Sequence, residues 1–294
     1  MSQQNQRHDL GRLVVRGADR PGIVASVSSA LAEQGANIVS LDQHSSDPAG
    51  GRFFQRTEFH LPDLSLRFGE LEEALTQRLG TEQELEFELI EAKRNKRAAV
   101  FVSRKDHCLL DLLWRQRRGE LAMTIAMVVS NHPELGDAVR GFGIPFFCVP
   151  VEKGRKDAAE KDQMNLLKGN VDLLVLARYM QILSGGFLDE LGVPVINIHH
   201  SFLPAFTGAG PYERAKERGV KLIGATSHYV TEDLDEGPII EQDVIRASHR
   251  DSVEDLQRRG ADVERIVLSR AVAWHCDDRV VRNGSTTVVF EGPR

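Results

Sequence analysis

Two stretches hold residues able to handle charge at a carbonyl. One is Asn197-Ile198-His199-His200-Ser201-Phe202-Leu203-Pro204. The other is the acidic loop Thr231-Glu232-Asp233-Leu234-Asp235-Glu236-Gly237-Pro238. An amide N–H and an imidazole N–H aimed at one point stabilise an oxyanion, and a carboxylate such as Asp235 takes or relays a proton. Together they suit attack on a carbonyl or formyl carbon. The residue types also fit a plainer reading, in which a hydrogen-bonded structural histidine sits at a strand end and the acidic loop is a solvated turn.

Positioning them requires a strand. The apolar run Val193-Pro194-Val195-Ile196 is predicted as a short buried strand, with Asn197 and His199 where it ends. Two residues apart on extended chain, they point to the same side. In open parallel α/β sheets, that carboxyl edge is where ligands bind. Adjacent histidines on extended chain face opposite ways, so His199, His200 and His228 do not make a metal set.

The surrounding pattern alternates strand and helix from residue 98. Strands are predicted over Ala98–Ser103, Leu121–Val129, Phe146–Val149, Asp172–Leu176 and Val193–Ile196. The intervening helices are placed near Cys108–Trp114, Pro133–Arg140 and Asp157–Lys168. Successive βα units imply a parallel, helix-covered sheet. Later strands, Leu222–Val230 and Pro238–Ile245, flank the acidic loop. A long helix over Ser252–Asp277 follows, then a hairpin turning at Asn283-Gly284.

Residues 8–92 read as a separate domain. Strands at Leu10–Arg16, Asn37–His44, Arg52–His60 and Leu85–Leu89 are interleaved with two amphipathic helices. Asp19 is the expected cap of the first helix, Gly35 its end, and Asp47-Pro48-Ala49-Gly50-Gly51 a turn. The order βαββαβ is ferredoxin-like. Glu91–Arg97 is polar and basic, and is expected to be a solvated linker to a second domain over 97–294.

Length suits two domains, and the apolar and charged fractions are ordinary for a globular chain. The net charge of −6 argues against a nucleic-acid-binding surface. No stretch has the length and apolarity of a membrane span, and the polar N-terminus is not a signal peptide, so the cytoplasm is the expected compartment. Cys108, Cys148 and Cys276 form no C-x-x-C pair and are expected to be buried thiols.

Asn197-Ile198-His199, Ser201, Leu203-Pro204-Ala205-Phe206 and Gly208 resemble the N-I-H-x-S-x-L-P signature of the 10-formyltetrahydrofolate-using formyltransferase fold. His228-Tyr229-Val230, then Asp235-x-Gly237-Pro238-Ile239-Ile240, resembles its second signature. The fuller string from His199 to Phe206 and the N-terminal half resemble the formyltetrahydrofolate deformylase family. Asp19-Arg20-Pro21-Gly22-Ile23 with Gly35-Ala36-Asn37-Ile38 resembles the ACT domain family.

The resemblance implies an ACT domain followed by a Rossmann-like, mostly parallel formyltransferase domain. It implies catalytic roles for Asn197, His199, Asp235 and His228. It also implies a folate site of Leu176, Tyr179, Met180, Gln181, Ile182, Leu183, Val230, Thr231 and Asp233. The reaction implied is hydrolysis of 10-formyltetrahydrofolate to formate and tetrahydrofolate, without metal or cofactor, serving one-carbon and purine metabolism. ACT domains often bind amino acids between paired copies, which implies a homo-oligomer with an effector at Asp19, Arg20, Pro21, Gly22 and Asn37. A well-capped turn explains the same residues.

Two rival readings remain. A formyltransferase would use the same donor toward an acceptor such as glycinamide ribonucleotide. An amino-acid-binding regulatory protein would carry an inactive second domain. The intact Asn197, His199 and Asp235 set argues against the latter. Against the former, the loop after the domain's first strand is Ser103-Arg104-Lys105-Asp106-His107-Cys108 rather than a glycine-rich phosphate turn. Its bulk suits a closed acceptor side, although Arg104 and Lys105 can pair a phosphate. His200, where the transferase pattern usually has Pro, also favours the deformylase.

Overall fold

The computed structural model describes residues 9–47, 49–205 and 210–292. His8, Pro48, Phe206 and Gly208 of the sequence reading lie outside the described residues. The chain forms two compact units. The first comprises the residues up to Asn95, Asp277–Val281, and those from Val288 on. The second comprises Lys96–Cys276 and Arg282–Thr287.

In the first unit, strands β1 (Leu10–Ala18), β2 (Asn37–Ser45), β3 (Arg52–His60) and β4 (Glu86–Glu91) form an antiparallel sheet ordered β2-β3-β1-β4. This is the ferredoxin-like arrangement read from the sequence. Leu13, Val15, Phe53 and Phe59 alternate toward one face. There they meet Ile23, Val27 and Leu31 of α1 (Ile23–Glu33) and Leu64, Leu71 and Leu75 of α2 (Leu64–Leu75). The second helix stops at Leu75 and a π-helical turn, Thr76–Thr81, carries Leu79 into the same core.

The other sheet face explains why the predicted boundaries of 8–92 and 97–294 differ from the observed division. Arg12 is buried there and needs compensating charge. It pairs with Glu58 at 3.4 Å, and with Asp277 and Asp278 at 3.0 Å each, while Val281 and Phe290 cover Phe54. These contacts bring the base of the C-terminal hairpin into the first unit.

Asp19 does not cap α1. Gly22 holds that position at φ 93°, a left-handed conformation suited to glycine, and Asp19 instead accepts a hydrogen bond from Ser45. Gly35 sits just past the helix end at φ 77°, as expected.

The second unit holds a seven-stranded sheet. Its strands are β5 (Lys96–Val102), β6 (Met123–Ser130), β7 (Phe146–Cys148), β8 (Leu173–Leu176), β9 (Val195–His199), β10 (Leu222–Tyr229) and β11 (Ile239–Arg246), in the order β11-β10-β9-β8-β5-β6-β7. The pairs from β9 to β7 are parallel, and β10 and β11 are added antiparallel. The order reverses at β5, whose neighbours are β8 and β6. That switch point opens a crevice at the carboxyl ends of the strands.

Val195 of β9 packs with α5 (Lys156–Leu167) and α6 (Gly185–Leu191). Its neighbour Ile196 is opposite Tyr229, whose hydroxyl lies 2.8 Å from Nδ1 of His275 in α8 (Val253–Cys276). Alternation along β9 therefore assigns α5 and α6 to one face and α8 to the other. The helices α3 (His107–Arg117) and α7 (Pro211–Glu217) pack against α8. A short helix, α4 (Gly136–Arg140), begins later than the predicted Pro133. Strands β12 (Val280–Asn283) and β13 (Thr286–Val289) form the predicted hairpin, with Gly284 at φ 61°.

Several local expectations change. The solvated linker shrinks, because Glu91 ends β4 and Lys96 starts β5. Arg97 is held by Asp172, with contacts of 2.9 and 3.2 Å. Cys148 is exposed rather than buried, on edge strand β7, whereas Cys108 and Cys276 are buried. No helix among the described residues is long and apolar enough to cross a membrane.

Candidate active site

Strand β9 runs on through His199 instead of ending at Ile196. In its antiparallel register with β10, Asn197 is opposite His228 and His199 opposite Thr226, so these side chains share one sheet face. Asn197 Nδ2 lies 3.2 Å from His228 Nε2, and His228 Nδ1 lies 2.9 Å from the Tyr229 carbonyl. These partners assign the tautomer. Nδ1–H donates to the carbonyl, and the Nε2 lone pair accepts from the amide. Burial lowers the pKa of His228 and keeps it neutral.

Asp235 reaches this wall from the loop after β10. Val230 N donates to Val195 O, and Tyr229 N to Pro238 O, which pins both loop ends. Gly237 makes the closure possible, since a Cβ there would stand 1.7 Å from the Tyr229 carbonyl oxygen. Asp235 itself has φ 61°. Its Oδ2 is 3.1 Å from His199 Nδ1, and its Oδ1 is 3.7 Å from His228 Nε2. The hydrogen bond from His199 holds the Asp235 carboxyl below its ordinary range. His199 Nε2 is buried with no protein partner. The imidazole is thus oriented by a carboxylate at one nitrogen and presents the other to a reacting group.

Ser201 and Leu203 anchor the chain leaving β9. Thr226 Oγ1 donates to Ser201 O at 2.9 Å, and accepts from Leu203 N at 3.0 Å and Gln242 Nε2 at 2.9 Å. His200 follows the end of β9, and its ring does not face away from His199 as expected of extended chain: the two ring centroids are 5.2 Å apart, with Tyr212 at 6.2 Å on from His200. Burial first and the Arg178 charge second lower the His200 pKa to about 4.

The expected folate residues divide. Met180 and Ile182 are exposed, at 59% and 58%, on a loop that is not helical. Arg178 and Met180 there have φ of 64° and 57°. Ser103 N donates to Arg178 O, and Ser103 Oγ to Tyr179 O. Leu176 and Leu183 are core residues. The Tyr179 side chain is also buried. Its ring packs edge-on to Phe101, and its hydroxyl is 2.6 Å from Gln163 Nε2. Gln181 is half-buried; Val230 is half-buried, and Thr231 and Asp233 are exposed, on the loop carrying Asp235. That loop lies against the start of α6, where a Cβ on Gly185 would come within 2.2 Å of Glu232 Oε1.

The sequence reading missed a charged cluster on the α8 face. Glu264 is 2% exposed. It pairs with His107 at 2.8 Å, Tyr212 at 2.8 Å and Arg178 at 3.4 Å. The available signal was periodicity: Gly260, Val263, Glu264, Val267 and Leu268 fall on one helical stripe, so a carboxylate there must be buried. His107, Cys108 and Glu264 bring donors within 4.8 Å of one another. Arg178 already supplies the positive charge, and burial pushes the Cys108 thiol up, so the donor set does not suit a metal.

The turn expected to bind an effector is built in part. Asn37 starts β2, whereas Asp19 follows the end of β1 and meets Ser45 at the end of β2. Asn37 and Ser45 are roughly 26 Å apart along extended chain at about 3.3 Å per residue. Within one chain Asn37 therefore does not join Asp19, Arg20, Pro21 and Gly22.

Comparison with known proteins matches residues 96–272 to the formyl transferase family and 11–67 to the ACT domain. A formyltetrahydrofolate deformylase of Mycobacterium tuberculosis is 60% identical over 282 residues, covering 96% of this chain and 91% of that protein. The chain belongs to the formyltetrahydrofolate deformylase family. A solved deformylase from Pseudomonas syringae pv. tomato superposes with a TM-score of 0.90 at 46% identity, covering 96% of this chain and 94% of that one. By contrast, glycinamide ribonucleotide transformylase 1 from Symbiobacterium toebii covers only 67% of this chain and 95% of its own, with a TM-score of 0.62 and 31% identity. The match to the deformylase family thus takes in both the ACT unit and the unit carrying His199 and Asp235.

Proposed function

We propose that this member of the deformylase family hydrolyses 10-formyltetrahydrofolate to formate and tetrahydrofolate. The observation that carries the reading is the Asp235–His199 pair, with Asn197 and His228 beside it, in a chain matching deformylases over nearly its whole length. Asp235 orients a water molecule and takes its proton as the oxygen attacks the formyl carbon. Protonated His199, through Nε2–H, and Asn197, through its second amide hydrogen, stabilise the oxyanion. Collapse of the tetrahedral adduct breaks the carbon–nitrogen bond, and the proton relayed through Asp235 goes to the departing folate nitrogen. Side chains supply both charge stabilisation and proton transfer, so we assign no metal or cofactor.

Met180, Ile182 and the backbone of residues 180–183 offer an apolar edge with polar groups for the pterin ring, with Val230, Thr231 and Asp233 of the Asp235 loop as its other side. In the ACT domain, the free amides at the start of α1 beside Gly22 suit an amino-acid carboxylate, with Asp19 for its ammonium. We assign the effector to Asp19, Arg20, Pro21 and Gly22 of a homo-oligomer. A calorimetric screen of amino acids against the full chain tests this, and no heat from any of them would remove the assignment.

Incubation with 10-formyltetrahydrofolate, with and without glycinamide ribonucleotide, tests the reaction. Formate release independent of the nucleotide is expected. Formylated nucleotide with no formate would make the enzyme a transferase.

A further inference from the structure

Glu264 lies in the middle of the apolar stripe of α8, yet it is ionised. Burial pushes its carboxyl up, but the hydrogen bond from His107 and the charge of Arg178 outweigh this and hold it below its ordinary range. An ionised group buried so deeply is costly unless all its partners stay in place. The partners come from three separate segments. His107 begins α3 after β5, Arg178 follows β8, and Tyr212 belongs to α7. Gly260, one turn before Glu264, clears the space: a Cβ there would stand 2.0 Å from Tyr212 Oη. Among the described residues Glu264 has no hydrogen bond or ion pair with Asn197, His199, Asp235 or His228, and it reaches His199 only by way of Tyr212 and the His200 ring.

Arg178 is the link to function. Its backbone opens the 178–183 loop in a left-handed conformation, and its carbonyl accepts from Ser103 N at 3.2 Å. Nη1 of its guanidinium lies 3.4 Å from Glu264 Oε2 as an ion pair, and neither Nε nor Nη1 makes a hydrogen bond among the described residues, so Glu264 is the carboxylate that holds this side chain. An arginine prefers φ < 0, so this geometry persists only where the surroundings enforce it.

We infer that Glu264 is a positioning residue for folate: by anchoring the Arg178 side chain, it holds the 178–183 loop in the shape that receives the ring. The inference rests on the hydrolytic reading above, and it places the effect on binding rather than on chemistry. Freeing Arg178 lets the loop relax, while Asn197, His199, Asp235 and His228 keep their contacts.

The test compares wild type, Glu264→Gln, Arg178→Gln and the double variant. It measures KM and kcat with 10-formyltetrahydrofolate and calorimetric Kd with tetrahydrofolate. Glu264→Gln should raise KM and Kd at least fivefold with kcat within about twofold. The double variant should bind no more weakly than Arg178→Gln alone, because both changes cut one link. Unchanged KM and Kd, a fall in kcat alone, or additive losses would overturn the inference. Should Glu264→Gln not fold, Tyr212→Phe removes one donor to the same carboxylate and should weaken tetrahydrofolate binding. Unaltered Kd in that variant is equally fatal. A wild type that binds tetrahydrofolate but releases no formate would sink the hydrolytic reading and leave this binding comparison standing.

Discussion

Asp235 Oδ2 meets His199 Nδ1 at 3.1 Å, and the two residues come from opposite sources: a regular strand and a loop residue with φ 61°. The strand fixes the imidazole. The loop brings the carboxylate, and its closure depends on Gly237. The proposed mechanism therefore rests on loop geometry as much as on residue type.

Asp235→Asn keeps the side chain's size and removes its charge. Turnover should fall on the order of a hundredfold or more, with tetrahydrofolate affinity and melting temperature little changed. Steady-state kinetics alongside thermal unfolding reads both. Near-normal turnover would take Asp235 out of the mechanism.

His199→Ala and Asn197→Ala should each lower kcat far more than they raise KM. Each loses a donor worth roughly 3 kcal/mol at the transition state. A pure rise in KM would make them binding groups instead.

Gly237→Ala places a methyl where the Tyr229 carbonyl already stands. The loop must shift, which should cost at least tenfold in kcat and about 1–3 kcal/mol in stability. Denaturant unfolding and kinetics on one preparation check it, and a variant with normal kcat would show that the loop has slack.

Tyr179→Phe tests the division of the folate loop into exposed and core side chains. The loss of the hydrogen bond with buried Gln163 should lower stability by about 1 kcal/mol, while KM stays the same. A marked rise in KM would put the Tyr179 hydroxyl in the binding site.

His200 and His228 both have lowered pKa values in the folded state, His200 to about 4. The unfolded chain therefore binds more protons below pH about 6.5, and stability falls as pH drops through that value. For His200 the loss continues toward pH 4 and reaches on the order of 3 kcal/mol. Asp235 adds a further loss below its ordinary 3.8, because its folded pKa is lower still. Unfolding measured between pH 7 and 4.5 should show the decline, and His200→Gln should flatten it.

Much of this was legible in the sequence because the signals are local. Alternation of apolar residues marked the strands. The βαββαβ order marked the first domain, and the spacing of Asn197 and His199 put both on one side of β9. The motif residues Asp235 and Gly237 pointed to the loop that completes the site.

Tertiary structure decided what depends on pairing distant segments. Antiparallel register set Asn197 against His228 and so assigned the His228 tautomer. Packing on Phe101 and the hydrogen bond from Gln163 placed the Tyr179 side chain in the core. The ends of β2 separated Asn37 from Asp19, a distance that residue types do not encode. The Glu264 cluster needed α3, α7, α8 and the end of β8 together. Periodicity marked Glu264 as buried, but the identity of the groups that neutralise it depended on three-dimensional packing, because a buried charge is compensated by neighbours in space rather than in sequence.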